Sequence, residues 1–368
     1  VGIDGERVVA VAAPGSLYAD RALDLEGRLV LPGLVNAHDH LDFSSFPALG
    51  RPPYRSLYEW AADVNAGEGD PGARAALGVP LVERLFLGGL RNLLCGVTAV
   101  AHHGAFHRSL ARPDFPVRVL SRYAFAHSPG LTPDLRRTYR TTDRRVPWMI
   151  HAAEGVDAAC RAELLALAER NLLRQNTVLV HGVGLAPEDG ARLAAARACL
   201  VWCPESNRRL YGATAPVAAL RAAGVRIGLG SDSPASGVRD ALSNLAAARR
   251  ESVYDDAALL ALAGRGSADV ARLPAGACEE GAPADLLVAD DLEALLSGDR
   301  RAVALVLVAG EARYGRAELM RAARPRCQGV VVEGEGRALA APWATRARGT
   351  IARYALPGVT WLAGLRFE

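Results

Sequence analysis

Two histidines one residue apart, His38 and His40, close an apolar run that begins at Leu29. Side chains two apart on a strand project to the same face. The pair therefore aims two imidazoles at one point, a spacing that suits a shared metal ion. Three more polar residues close apolar runs of their own. His151 follows Val146–Ile150, His181 follows Thr177–Val180, and Asp232 follows Val225–Ser231. A lone histidine at a strand end is usually a packed side chain. Four of them, in a chain with only 8 histidines, together with an aspartate, reverse that reading. Imidazole nitrogen and carboxylate oxygen suit zinc, with iron the other candidate. The chemistry to test first is that of a metal-dependent hydrolase.

Such residues need a scaffold that brings strand ends together. From Leu34 onward, strand-like runs alternate with Ala/Leu/Arg-rich helical stretches. The runs are Val97–Ala101, Val117–Phe125, Val146–His151, Thr177–His181, Ala198–Cys203 and Val225–Gly230. Between them lie helical segments at Pro80–Leu94, Ala158–Asn171, Glu188–Arg197, Pro216–Ala223 and Val238–Ser252. This alternation predicts parallel strands with helical crossovers. The polar residues stand at the C-terminal strand ends, the active-site face of a (β/α)8 barrel. An open dinucleotide-binding sheet fits less well, because no Gly-x-Gly-x-x-Gly follows the first strand. Seven strands are legible, so the expected fold is an α/β TIM-like barrel, distorted or one unit short. It is assigned to residues 31–282. Residues 1–30 and 283–368 are expected to form a small β-sandwich from both termini. Its strands are read at Arg7–Ala13, Ala22–Leu31, Ala302–Ala309, Gly310–Tyr314, Gly329–Glu333 and Thr350–Tyr354, with a turn around Pro14-Gly15-Ser16.

Composition narrows the field. The net charge of +3 in 368 residues makes no case for nucleic acid or a membrane surface as partner. No apolar run reaches the roughly 18 residues of a membrane span. The first residues lack the pattern of a secretory signal, so a cytoplasmic protein is expected, acting on a small molecule. Six cysteines without a Cys-x-x-Cys pair read as buried free thiols. All 43 basic residues are arginine. That excludes a P-loop lysine, a Schiff-base lysine and a lysine general base.

Seven motifs in order carry a family resemblance. They are Pro32-Gly33-Leu34-Val35-Asn36-Ala37-His38-Asp39-His40, Gly96-Val97-Thr98-Ala99-Val100, His151-Ala152-Ala153-Glu154, Val180-His181-Gly182, Cys203-Pro204-Glu205-Ser206-Asn207, Gly230-Ser231-Asp232-Ser233 and Gly281-Ala282-Pro283-Ala284-Asp285-Leu286. Together they resemble the amidohydrolase superfamily over roughly residues 20–315. Within it they are similar to the aminohydrolase branch of guanine deaminase, adenosylhomocysteine deaminase and triazine hydrolases.

The resemblance implies roles for individual residues. His38, His40, His151 and Asp232 would hold one zinc ion, and Asp232 would also take a proton from the attacking water. Glu154 would shuttle that proton to the substrate nitrogen or leaving group. His181 would polarise the electrophilic centre. Several branches of the superfamily bridge two metals with a carboxylated lysine, which this chain lacks, so a single ion is expected. His127 matches a substrate-contacting strand end. For His102, His103 and His107 two readings stand: one packed ring with two surface rings, or His103 or His107 reaching substrate. Asn207 reads equally as a structural or a functional residue. The implied reaction is zinc-dependent deamination of a small nitrogen heterocycle or cyclic amidine. The alternative is hydrolysis of an amide or other C–N bond without ammonia release. A non-catalytic scaffold fits less well, because such members lose metal ligands. A homodimer is compatible with such a fold.

Overall fold

A computed structural model describes residues 1–13, 15–66, 70–323, 326–354, 356, 359–360 and 366–367. A hairpin of β1 (Gly2–Asp4) and β2 (Arg7–Ala10) is followed by β3 (Leu29–Pro32). Eight parallel strands come next. They are β4 (Leu34–Asp39), β5 (Val97–His102), β6 (Arg118–Val119), β7 (Ala124–Ala126), β8 (Trp148–Ala152), β9 (Thr177–His181), β10 (Cys199–Trp202) and β11 (Arg226–Leu229). They pair in two sets, β4-β5-β6 and β7-β8-β9-β10-β11. A parallel bridge between Asp39 and Asp232 joins the sets where β11 meets β4. Among the described residues no strand ladder joins β6 to β7. The chain thus has the TIM-barrel-like α/β fold expected of it.

The eighth strand corrects the count of seven. The run Val117–Phe125 holds two strands. Arg118 and Val119 pair with Ala99 and Val100, while Ala124–Ala126 pair with Trp148–Ile150. Only residues 120–123 separate them, with no crossover helix. Both strands pack against apolar neighbours, so hydropathy runs through the break. Ser121 and Arg122 are the exposed residues that mark it.

Strands buried on both faces explain the continuous apolar runs. One face packs inward on small side chains, among them Ala37, Ala99, Ala101, Val178, Val180, Val201 and Val270. The other packs on the crossover helices, such as Leu81–Leu93 and Ala158–Glu169. Side-chain caps define several helix starts: Asp157 accepts the amide of Cys160, and Asp240 with Ser243 forms a reciprocal capping box.

The C-terminal strands are β12 (Leu286–Ala289), β13 (Val303–Val308), β14 (Glu311–Gly315), β15 (Cys327–Val332), β16 (Glu335–Ala340), β17 (Val359–Thr360) and β18 (Arg366–Phe367). They form an antiparallel sheet in the order β17-β15-β16-β14-β13-β12-β3, with β18 also on β15. β3 reaches Pro32, and Gly33 turns the chain from this sheet into β4. A Cβ at Gly33 would collide with Thr98, so the close approach requires glycine. Two strand expectations fail. Residues 350–353 belong to the helix Trp343–Arg353, whose buried Trp343, Ala344, Ala347 and Thr350 follow helical spacing. Of Ala22–Leu31 only the end is strand. The expected turn at Pro14-Gly15-Ser16 includes Pro14, which lies outside the described residues. The six cysteines are free, all buried except the half-buried Cys278. No helix among the described residues is long and apolar enough to cross a membrane.

Candidate metal centre

The C-terminal ends of β4, β8, β9 and β11 bring the predicted residues to one place. His151 Nε2 lies 3.4 Å from His38 Nε2 and 3.3 Å from His40 Nε2. Asp232 Oδ1 lies 3.9 Å from His38 Nε2 and 3.8 Å from His40 Nε2. Donors bound at about 2.0–2.1 Å around a tetrahedral zinc ion stand about 3.4 Å apart. His151 matches that spacing to both histidines, and His38, His40 and Asp232 bring their donor atoms within 4.8 Å of one another, a donor set whose chemistry suits such an ion. His181 also brings a donor atom within 4.8 Å of His38 and His151.

The outer hydrogen bonds agree with this use. His151 Nδ1 donates to the carbonyl of His127 at 2.7 Å, which leaves Nε2 unprotonated and inward-facing. Burial drives His38 and His151 well below the ordinary imidazole pKa, and neighbouring imidazoles add to the effect. Both rings are thus neutral, the form a metal requires. Asp232 Oδ2 accepts the Ser206 hydroxyl at 2.7 Å, which leaves Oδ1 toward the histidines.

Glu154 Oε1 and His181 Nε2 lie 3.6 Å apart beside these residues. His181 Nδ1 donates to Asn207 Oδ1 at 2.9 Å, so its Nε2 is free to accept. The Tyr211 hydroxyl donates to Glu154 Oε1 at 2.7 Å. Glu154 Oε2 is buried without a hydrogen-bond partner. Burial pushes the Glu154 carboxyl up to about 7, opposed by His181 and reinforced by the charge of Asp232. A carboxyl so tuned can hold or release a proton near neutral pH. Ala153, His181 and Asp232 all adopt positive φ, at 52°, 74° and 60°. Left-handed backbone at three points of one site marks a local geometry that the surrounding packing must enforce.

The remaining histidines divide by burial. His127 is solvent-exposed, its ring 5.2 Å from that of His151. His103 is buried, donates from Nε2 to the Ala126 carbonyl at 3.0 Å, and stacks on His151 at 4.1 Å. His102 is also buried and accepts the Leu41 amide at 3.3 Å. His107 caps the short turn Arg108–Ala111 through Ser109. Two of these three rings are thus packed, rather than one.

Several residues of the site went unread in the sequence. Tyr211 lies one helical turn after Asn207 on the helix Pro204–Tyr211, so the i, i+4 spacing from a motif residue was an available signal. Behind the His38/His40 pair, Asp39 accepts from Arg91, Asn92, Asn36 and Ser231. Asn36 lies three residues before Asp39 on the same strand, while Arg91, Asn92 and Ser231 come from distant segments that nothing local announces.

Strand-end histidines and an aspartate on a TIM-barrel-like fold define a metal-dependent hydrolase. The sequence model of the amidohydrolase family matches residues 114–331, and the chain belongs to that family, as a hydrolase acting on C–N bonds. Among curated proteins it is 30% identical over 339 residues to a 5-methylthioadenosine/S-adenosylhomocysteine deaminase of Natronomonas pharaonis, covering 78% of this chain and 79% of the relative. It is 27% identical over 302 residues to an aminodeoxyfutalosine deaminase of Deinococcus radiodurans, covering 63% and 71%. Among solved structures, an atrazine chlorohydrolase from Arthrobacter aurescens complexed with zinc shares the fold, with a TM-score of 0.64 and 20% identity over 84% of this chain and 89% of that one.

Proposed function

We propose that this chain deaminates a small aminated nitrogen heterocycle, with His38, His40, His151 and Asp232 holding one zinc ion. When bound, zinc supplies a water whose pKa falls from about 15.7 toward about 7. The barrel of residues 31–282, interrupted between β6 and β7, is read as the catalytic unit. The terminal strands are read as a separate unit.

The protein's own groups do the rest. The Asp232 carboxylate takes the first proton of the attacking water, and its Oδ2 accepts the Ser206 hydroxyl, which fixes its orientation. Glu154 delivers a proton to the ring nitrogen, which makes the adjacent carbon electrophilic. As the C=O group forms, Glu154 takes up the hydroxyl proton and the proton on Asp232 goes to the departing amine, so both carboxyls return to their starting state. His181, oriented by Asn207, steadies charge at the reacting carbon. His127 contacts the substrate. His103 is assigned to support His151 rather than to touch substrate. Water and the C–NH2 group give a C=O group and ammonia.

The observation that carries this reading is Glu154. It is buried, its carboxyl is pushed up to about 7, and it sits 3.6 Å from His181 with one oxygen unpartnered. Ring-nitrogen protonation needs such an acid. Relatives named as deaminases of 5-methylthioadenosine and S-adenosylhomocysteine make adenine nucleosides the first substrates to test.

The test is ammonia release from 5-methylthioadenosine, S-adenosylhomocysteine, adenosine and amino-triazines by the zinc-loaded protein. Turnover is expected for at least one, and Glu154→Gln should retain zinc while losing most of it. No ammonia from any member of the panel would overturn the reading. A substrate consumed without ammonia would instead identify hydrolysis of another C–N bond.

A further inference from the structure

One buried carboxylate has no part in the chemistry above. Glu163 lies in the middle of the helix Ala158–Glu169 and is 7% exposed. An apolar residue would fill that position without the cost of burying a carboxyl. Glu163 instead uses both oxygens. Oε2 accepts the Ala153 amide at 2.7 Å. Oε1 accepts the Tyr58 hydroxyl in a short hydrogen bond.

Both partners bear on the site. Ala153 is the positive-φ residue between His151 and Glu154, so its amide fixes the turn that aims Glu154. Tyr58 belongs to the helix Leu57–Ala66, in the segment after β4, and its oxygen also accepts the Gly130 amide at 3.0 Å from the segment after β7. The same junction carries two backbone bonds, Leu57 N to Glu154 O at 2.9 Å and Val156 N to Arg55 O at 2.7 Å. Glu163 and Tyr58 together thus tie the loops that follow β4, β7 and β8, at the residue next to Glu154.

We propose that Glu163, with Tyr58, is a positioning residue that holds the Ala153 turn and thereby sets the bearing of Glu154 on substrate. It touches neither substrate nor metal. The proposal rests on the role given to Glu154 above, but its structural half stands apart from any substrate.

The test uses the full zinc-loaded chain with Glu163→Ala, Glu163→Gln and Tyr58→Phe. Zinc content, kcat, KM and amide exchange at Ala153 and Glu154 are read for each. Glu163→Ala is expected to lower kcat about 10- to 100-fold, with KM and zinc content within about twofold and exchange at Ala153 faster by about tenfold or more. Glu163→Gln keeps an acceptor for the Ala153 amide and should recover most of kcat and of the protection. Tyr58→Phe should lower kcat in the same direction by less. Unchanged exchange at Ala153 in Glu163→Ala would overturn the proposal. So would equal loss of kcat and zinc in the Ala and Gln variants, which marks a packing role alone. If Glu163→Ala fails to fold, the Gln and Tyr58→Phe variants decide by the same readings. If the parent protein turns over none of the substrates, the functional reading fails, while the exchange measurement still judges the positioning.

Discussion

Asp39 and Arg91 form a buried two-point ion pair directly behind the paired histidines, with Arg91 Nη2 2.7 Å from Oδ1 and 2.8 Å from Oδ2. Asp39 sits between His38 and His40, and its side chain is fully buried. Arg91 comes from the helix Leu81–Leu93 and caps the pair from the other side of β4. Asn92, Asn36 and Ser231 also donate to Asp39, so the strand that presents both histidines is held from below by charge and by hydrogen bonds.

Removing one partner leaves the other charge buried and unpaired. Arg91→Met should therefore lower unfolding stability by about 3–5 kcal/mol. It should also weaken zinc affinity by about 10- to 100-fold, because the histidines lose their outer support. The double variant Asp39→Asn with Arg91→Met should regain much of the stability. Denaturant unfolding and zinc titration check both parts, and additive losses in the double variant would contradict the pairing.

Tyr211 offers a smaller and more local test. Its hydroxyl fixes Glu154 Oε1 without touching the four metal-facing side chains. Tyr211→Phe should lower kcat about tenfold with zinc content unchanged, as expected for loss of an outer hydrogen bond. Zinc analysis beside steady-state kinetics reads the two effects separately.

The proton linkage of Glu163 has a definite sign. Burial raises its carboxyl from 4.5 to about 7, so the folded chain holds a proton that the unfolded chain has released in that window. The stability this contributes is full below the unfolded value and is lost as pH rises through the folded value. Glu163→Gln cannot titrate. Its stability relative to the parent should rise between about pH 4.5 and about pH 7, and level off above. Unfolding curves across that range would show it; a constant difference would refute it.

The sequence made the strand ends legible because the chemistry there is concentrated in rare residue types. His38, His40, His151, His181 and Asp232 each close an apolar run, and each lies within three residues of the C-terminal end of its strand. The helices Ala158–Glu169, Asp189–Ala196 and Val217–Ala222 were legible because their apolar period differs from that of the strands, whereas the polar helix Pro204–Tyr211 was not. Val117–Phe125 was not, because two short, largely half-buried strands stand only four residues apart with no helix between them. Arg91, Tyr211 and Glu163 were not, because their partners lie 52, 57 and 105 residues away along the chain and only the fold brings them together. Thr350–Tyr354 misled through its β-branched and aromatic residues, while the burial of Trp343, Ala344 and Ala347 decides for a helix.

The central claim is that His38, His40, His151 and Asp232 hold one ion. Metal analysis of protein expressed with added zinc tests it most directly. About one zinc per chain is expected, lost in His38→Ala. Less than about a tenth of an equivalent in the parent protein would contradict it.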